Sequence, residues 1–321
     1  MEPFKLIAPC KDYLWGGTKL KTEYHQRSSA QKLAESWMLS CHKDGLSVIS
    51  DGKFDGLTLM EFIDQTGKQA LGTDCDKFEQ FPILVKLIDA QDRLSVQVHP
   101  NNDYALKNEG EYGKTEMWYV VENEPGASLY YGFREPITKT EFQQRIENNT
   151  LLEVLNKVEV HPGDVFFIEA GTLHAIGAGI VIAEIQQNSN TTYRIYDYGR
   201  IGADGKPRAL HVEKALDVTK LERPQRSSKP QGEPETLDGC TQTLLASCDY
   251  FTVYRMELSG EIGMDADMTS FHSLLCLSGE AVLQRSGQKP LNIGKGDSIF
   301  VPAGMGSYTI KGKCEILFTK V

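Results

Sequence analysis

One nine-residue pattern occurs twice in the chain, once near the middle and once near the C-terminus. Both copies consist of Gly-Asp, five residues and Ala-Gly: GDVFFIEAG covers residues 163–171 and GDSIFVPAG covers residues 296–304. A Gly-Asp turn before a short apolar run and a second turn is typical of a short buried strand. Because further short strands and turns flank both copies, the pattern predicts that two regions share one antiparallel β architecture.

The fold class that follows is mainly β, with cupin-type jelly-roll domains and a small helical portion. We expect residues 1–220 to form a cupin-like domain with a helical insertion at about residues 138–158. Residues 221–236 are rich in Pro, Gly, Ser and charge, which predicts a linker. Residues 237–321 are predicted to form a C-terminal jelly roll without a metal.

Short-range signals predict where several helices and strands begin. The alternating segment LSVQVH, residues 94–99, predicts a strand that carries Ser95, Gln97 and His99 on one face. Helix N-caps are predicted at three places: Thr58 with Glu61 in a capping box, Asn102 or Asp103, and Thr140.

Composition excludes several classes of protein. The net charge of -10 argues against nucleic acid and anionic membranes as partners, because the mean field would repel them. No apolar run is long enough to span a bilayer, and the N-terminus lacks the pattern of a secretory signal. The seven cysteines are scattered without a C-x-x-C motif, which indicates reduced thiols and a cytoplasmic location.

The two copies of the repeated pattern differ in one residue type that can bind metal. The first copy is followed by Thr-Leu-His, ending at His174, whereas the second is followed by Met-Gly-Ser. His174 alone is more often a hydrogen-bonded core residue than a ligand. Together with Gln97, His99 and Glu116 it offers two imidazoles, a carboxylate and an amide oxygen, a set that suits zinc. Glu116 could instead pair with Lys114 in a structural ion pair.

Several longer motifs extend the pattern over most of residues 1–220. They are YLWGG (13–17), AESW (34–37), LSVQVHP (94–100), GKTEMWYV (113–120), GDVFFIEAGTLHAIGAG (163–179) and EIQQNSNTTYRIYDYGR (184–200). In these motifs and their order the chain resembles the short bacterial form of type I mannose-6-phosphate isomerases, also called phosphomannose isomerases. The C-terminal region resembles that family only in its jelly-roll character.

The resemblance implies a zinc-dependent aldose–ketose isomerase that interconverts mannose 6-phosphate and fructose 6-phosphate through a cis-enediol. It implies one Zn²⁺ per chain, held in the domain of residues 1–220. The implied zinc ligands are Gln97, His99, Glu116 and His174.

The resemblance also implies catalytic and substrate-binding residues. The catalytic set is Arg194, Lys114 and Glu184, and the substrate-binding set is Lys86 and Ser95. Isomerisation requires a base and stabilisation of negative charge on oxygen. Glu184 and a zinc-bound hydroxide are both candidates for the base. Either Arg194 or Lys114 could stabilise the developing oxyanion or hold the phosphate.

Two other functions compete with the isomerase. One is a catalytically inactive cupin-type sensor of sugar phosphates, and the other is an iron-dependent cupin oxygenase. The oxygenase fits poorly, because such enzymes favour a set of histidines with a carboxylate within one motif. We expect a small sugar phosphate as the partner, with no nucleic acid and no membrane. The chain is predicted to be a monomer or a weak homodimer.

Overall fold

The structure is a computed structural model that describes residues 1–202 and 205–321. The chain divides into two compact units, and each unit gathers separate segments of the sequence. The first unit contains Met1–Lys11, Thr18–Leu87 and Pro230–Val321, and the second contains Asp12–Gly17 and Ile88–Lys229. The domain boundaries predicted from the sequence, at residues 220 and 237, follow the chain in order and stay a prediction.

Strands dominate the described residues, which confirms the mainly β prediction. The strands are β1 (Phe4–Ile7), β2 (Cys10–Lys11), β3 (Glu35–Leu39), β4 (Cys41–His42), β5 (Gly45–Leu46), β6 (Val48–Ser50), β7 (Ile83–Ala90), β8 (Val96–Val98), β9 (Glu116–Asn123), β10 (Ser128–Phe133), β11 (Leu155–Glu159), β12 (Val165–Ile168), β13 (His174–Ala175), β14 (Ile180–Gln187), β15 (Tyr193–Tyr196), β16 (Glu235–Leu237), β17 (Cys240–Ser247), β18 (Thr252–Leu258), β19 (Glu261–Ala266), β20 (His272–Gln284), β21 (Leu291–Gly294), β22 (Ser298–Val301) and β23 (Gly306–Lys320). The α-helices are α1 (Lys19–Thr22), α2 (Leu59–Thr66), α3 (Asn102–Asn108), α4 (Lys139–Glu147) and α5 (Val212–Val218), and short 3-10 helices cover Lys68–Ala70, Thr73–Cys75 and Leu151–Glu153.

A ten-stranded antiparallel sheet forms most of the first unit. Its order is β16-β17-β18-β23-β20-β22-β1-β6, with β19 also paired to β23 and β21 to β20. The N-terminal strand β1 pairs with β22, which follows the second Gly-Asp turn, and Phe4 lies opposite Phe300. Their rings stack at 5.4 Å between centroids. Sequence inspection did not foresee this pairing, because nothing local links residues so far apart in the chain.

The second unit contains a five-stranded sheet in the order β11-β10-β13-β8-β15. Val96 and Val98 of β8 pack into an apolar cluster with Phe133, Ala175 and Ile195, among others. Because side chains alternate along a strand, this packing turns the residues between the valines to the opposite face. Strands β12, β9 and β14 also lie side by side in this unit.

One predicted N-cap is confirmed and two are wrong by a small shift. Thr58 and Glu61 form the predicted capping box at the start of α2. Helix α3 is capped by Asn101, whose side chain accepts from the Tyr104 N–H, and not by Asn102 or Asp103. Helix α4 is capped by Thr138 and not by Thr140. In both helices the cap is the residue just before the first helical residue, and its side-chain oxygen accepts from the N–H of the third helical residue.

The helix predicted over residues 138–158 is confirmed only in its first half. Helix α4 ends at Glu147, a 3-10 turn covers Leu151–Glu153, and β11 follows at Leu155–Glu159. Asn149 has φ of 55°, a left-handed conformation that ends a helix and that asparagine tolerates. The apolar residues of 151–158 that fitted a helical spacing serve instead as a 3-10 turn and a strand, where β11 pairs with β10.

Candidate active site

Strand β8 carries the first part of the site. Gln97 lies between the two valines that enter the core, so its side chain faces the other side of the sheet. In the sheet, His174 of β13 lies opposite Gln97 from one side and Arg194 of β15 from the other. Cross-strand partners share a face, so these three residues meet on one surface although they are far apart in the sequence.

Strands β9 and β14 carry the acidic part of the site. Glu116 begins β9, and Trp118 follows two positions later on the same face. Glu184 of β14 lies opposite Trp118, and Gln186 lies opposite Glu116. Glu116 is fully buried and Glu184 is 3% exposed, so both carboxyl groups depend on protein partners for their solvation.

Three buried side chains converge closely enough to bind one ion. The ligand atoms of His99, Glu116 and His174 all lie within 4.8 Å of one another, and no other such group of three occurs among residues 1–202 and 205–321. His99 Nε2 is 3.6 Å from one oxygen of Glu116, and His174 Nε2 is 3.5 Å from the other. The group could therefore hold a metal ion.

Hydrogen bonds fix the orientation of both imidazoles. His99 Nδ1 lies 2.9 Å from the Thr191 carbonyl oxygen, and His174 Nδ1 lies 2.8 Å from that of Thr172. A carbonyl only accepts, so each Nδ1 carries the proton and each Nε2 presents a lone pair. Burial lowers the pKa of His174 to about 4, which keeps this imidazole neutral at pH 7.

Gln97 can complete this donor set. Its amide nitrogen lies 3.3 Å from His174 Nε2. The two ends of an amide are assigned from their hydrogen-bonding partners, and exchange of the two ends would place Oε1 at the same point. Two neutral imidazoles, one carboxylate and one amide oxygen fit a divalent metal of the zinc type.

Lys114 lies at the centre of the site. Its ammonium group is 2.7 Å from a Glu116 oxygen, 3.6 Å from a Glu184 oxygen and 3.2 Å from His99 Nε2. The side chain is buried, so its charge acts in a medium of low dielectric constant. Glu116 thus forms the ion pair with Lys114 that the sequence offered as an alternative. This ion pair lies among the atoms of His99, Glu116 and His174 that could hold a metal ion.

Arg194 and Ser95 contact each other on the same face as Gln97. The Arg194 Nε–H donates to Ser95 Oγ at 3.2 Å, and Nη1 donates to the Ala209 carbonyl at 3.1 Å. Partial burial lowers the pKa of Arg194, but a guanidinium stays charged in proteins. These contacts hold the guanidinium at a fixed angle at the edge of the five-stranded sheet.

Lys86 belongs to the first compact unit, whereas the other predicted site residues belong to the second. There it is buried, 3.5 Å from a Glu35 oxygen and 5.3 Å from the centroid of the Trp37 ring. The Trp37 indole N–H donates to the same carboxylate at 2.7 Å. Within the second unit, by contrast, the structure brings together the other eight predicted residues.

Comparison with known proteins identifies the family. The family model "Phosphomannose isomerase type I, catalytic domain" matches residues 3–127, and "Mannose-6-phosphate isomerase, cupin domain" matches residues 241–321. Mannose-6-phosphate isomerase from Streptococcus mutans is 37% identical, over 98% of this chain and 97% of that protein. Mannose-6-phosphate isomerase ManA from Bacillus subtilis is 36% identical, over 98% of both chains. The chain belongs to the mannose-6-phosphate isomerase family.

A solved structure of this family has the same fold. The crystal structure of mannose 6-phosphate isomerase from Bacillus subtilis covers 100% of both chains with a TM-score of 0.93 and 33% identity. The predicted family, the cupin fold and the enzyme class are thereby confirmed, and the chain is an aldose–ketose isomerase. Sugar phosphates are the substrate class of the mannose-6-phosphate isomerase family. In the described residues we find no helix of the length and apolarity that crossing a membrane requires.

Sequence reasoning missed one residue that contacts the candidate site. Trp118 is fully buried, donates its indole N–H to Glu184 Oε2 at 3.0 Å, and meets the His174 ring edge to face at 5.2 Å. The motif K-T-E-M-W already contained it, at an even spacing from Glu116 that puts both side chains on one face. Its partner Glu184 is 66 residues away, so the contact itself was not visible in the sequence.

Proposed function

We propose that the chain is a zinc-dependent isomerase that interconverts D-mannose 6-phosphate and D-fructose 6-phosphate through a cis-enediol. The observation that carries the proposal is the convergence of three buried donors, with both imidazoles held in the tautomer that presents Nε2. The Lys114 ammonium lies 2.7 Å from Glu116 in this group and 3.6 Å from the carboxylate of Glu184.

One Zn²⁺ per chain would be held by Gln97, His99, Glu116 and His174. When bound, the ion would supply positive charge able to polarise an oxygen of the sugar. The donor set supports zinc over magnesium or calcium, because those ions prefer oxygen ligands throughout.

Glu184 is the proposed base that carries the proton between C2 and C1. Its carboxylate is buried and held between the Trp118 indole and the Lys114 ammonium, at 3.0 and 3.6 Å. A fixed carboxylate in a site with little water is suited to accept a proton from one carbon and return it to the next. An exposed glutamate, whose carboxylate is solvated and mobile, would be a less effective base.

Lys114 and Arg194 are the proposed sources of fixed positive charge. Lys114 is buried beside Glu184, so it can stabilise negative charge that develops on the sugar oxygens. Arg194 is held by Ser95 and the Ala209 carbonyl and adds a second cation on the face of Gln97. Lys86 and Ser95 are proposed to contact the substrate, as the family resemblance implied.

The first experiment is turnover of mannose 6-phosphate by zinc-loaded protein, measured through a coupled assay for fructose 6-phosphate. We expect turnover that chelation abolishes and zinc restores. Turnover that survives complete chelation would contradict the zinc assignment. Stoichiometric zinc without turnover would instead favour the inactive sensor of sugar phosphates.

The cellular context is proposed from the sequence. The seven free cysteines support an enzyme that works in the cytoplasm. We expect a monomer or a weak homodimer, which sedimentation velocity over a range of protein concentrations would test.

A further inference from the structure

Trp118 contacts two members of the site at once. Its indole N–H donates to Glu184 Oε2 at 3.0 Å, and its ring packs against the His174 ring at an angle of 83°. The strands set this arrangement, because Trp118 of β9 and Glu184 of β14 are direct cross-strand partners on one face. Both side chains are almost completely buried, so water does not compete for the hydrogen bond.

The hydrogen bond distinguishes the two oxygens of Glu184. Oε2 accepts from the indole, while Oε1 is the oxygen nearest to the Lys114 ammonium, at 3.6 Å. An indole has a single donor and no acceptor, so it can bind a carboxylate but cannot exchange a proton with it. The indole therefore holds Oε2 through a contact that cannot exchange a proton, while Oε1 lies on the side of Lys114.

We propose that Trp118 is a positioning residue of the isomerase, which orients Glu184 so that Oε1 carries the proton between the two reacting carbons. The inference rests on the proposed role of Glu184 as the base. Proton transfer requires the base to lie within hydrogen-bond reach of the proton on carbon. A carboxylate that could rotate would meet that condition only part of the time. The ring of Trp118 also packs on His174, which joins the proposed base and a proposed metal ligand through one rigid side chain.

Phenylalanine at position 118 isolates the hydrogen bond, because it keeps an aromatic ring but has no N–H. We expect Trp118→Phe to lower kcat roughly 10- to 100-fold, the effect of one buried hydrogen bond to a charged group. KM should change less than about threefold and the zinc content should stay at the wild-type level, because orientation of the base is needed for the chemical step rather than for binding.

A double-mutant cycle separates positioning from simple loss of packing. In the Glu184→Gln background the base is already gone, so Trp118→Phe should cost less than about threefold of the residual turnover. If Trp118→Phe leaves kcat within about threefold of wild type, or costs the same factor with and without Glu184, the proposal is overturned.

A matched control removes another buried aromatic donor. Tyr308 in the first unit is 3% exposed, and its hydroxyl lies 2.8 Å from His272 Nδ1. Tyr308→Phe should lower the melting temperature without changing kcat. An equal loss of kcat in both variants would mean that turnover reports stability in general, and it would refute positioning by Trp118.

A spectroscopic measurement keeps the proposal testable if Trp118→Phe folds poorly. The chain has three tryptophans, so the indole N–H signals in a ¹⁵N spectrum are few. The Trp118 signal should move clearly when Glu184→Gln removes the charged acceptor, and an unmoved signal would contradict the hydrogen bond. If Glu184→Gln keeps wild-type kcat, the proposed base is wrong. If Glu184→Gln is impaired but Trp118→Phe is not, only the positioning role fails.

Discussion

At the scale of single residues, the centre of the site is a balance of buried charges. Glu116 and Glu184 bring two carboxylates, and Lys114 brings one ammonium that lies within 3.6 Å of both. Charges taken out of water are tolerated only when they are paired or bind a cation. Two carboxylates and one ammonium leave a formal charge of -1 in the cluster, which favours binding of a cation among these donors.

Removal of the Glu116 carboxylate should weaken zinc binding more than any surface change. Groups that only support metal ligands contribute 10- to 100-fold in affinity, so Glu116→Gln should lower zinc affinity by about 100-fold or more. Competition with a chromogenic chelator measures this. Glu169→Gln is the control, because Glu169 is partly exposed and forms an ion pair with Lys220 at 2.8 Å. Zinc affinity of Glu116→Gln equal to that of the control would rule out Glu116 as a ligand.

Removal of the Lys114 ammonium should impair the chemical step. In Lys114→Met the two carboxylates lose the cation between them, and the sugar oxyanion loses a stabilising charge, so kcat should fall about 100-fold or more. Steady-state kinetics at saturating zinc measures this. Lys139→Met, at an exposed lysine that pairs with Asp217, should keep wild-type kcat. A Lys114→Met enzyme within about tenfold of wild type would exclude this role.

At the scale of elements, strand pairing creates the site and local capping limits the helices. Gln97, His174 and Arg194 meet because β13 and β15 both pair with β8. Trp118 and Glu184 meet because β9 pairs with β14. Helices of this unit end within a few turns, as α4 does at Asn148 and Asn149, where local side chains and a left-handed residue stop the hydrogen-bond pattern.

The capping of α4 is a test at this scale, because two threonines lie close together. Thr138 accepts a hydrogen bond from the Glu141 N–H, so Thr138→Ala should lower the free energy of unfolding by about 1 kcal/mol. Thr140→Ala should change it by less than about half of that, because Thr140 is exposed inside the helix. Urea denaturation of both variants decides the matter. A larger loss in Thr140→Ala would show that the cap predicted from the sequence is the true one.

At the scale of the whole molecule, the overall negative charge does not prevent binding of an anion at the candidate site. The chain carries -10 overall, yet Lys114 and Arg194 lie beside the candidate metal ligands in the second unit. Long-range repulsion of an anionic sugar phosphate is screened at physiological salt, whereas contacts inside a buried site are screened much less. Binding of an anion by an acidic protein is therefore compatible with its overall charge.

Stability of the molecule should fall in mild acid because of His272. Burial lowers its pKa to about 4, whereas an unfolded chain protonates histidine near pH 6.5. The unfolded state then binds the proton first, so the contribution of neutral His272 is complete above pH 6.5. It is lost progressively as the pH falls from 6.5 to 4, by up to about 3 kcal/mol.

Urea denaturation between pH 7 and pH 4 measures this dependence. The difference in unfolding free energy between wild type and His272→Gln should shrink as the pH falls. His161→Gln, at an exposed histidine, should follow the wild type at every pH. A difference that stays constant or grows toward pH 4 would contradict the assignment to His272.

The sequence by itself determined the features that depend on one strand or one turn. The repeated Gly-Asp pattern indicated the β architecture, and the alternation in LSVQVH put Gln97 and His99 on one face. Both follow from local geometry, since a strand has a side-chain period of two wherever it lies. The capping box at Thr58 is local in the same sense, and it was predicted correctly.

Only the tertiary structure decided which distant segments meet. The local sequence does not predict that β13 and β15 pair with β8 or that β1 pairs with β22. Strand pairing depends on the burial of whole sheet faces and not on neighbouring residues. The tautomer of His99, the approach of the Lys114 ammonium to Glu184 and the contact of Trp118 with Glu184 all depend on long-range packing of this kind. Each links atoms that the chain itself keeps far apart, and the low dielectric constant of the buried site makes their proximity matter.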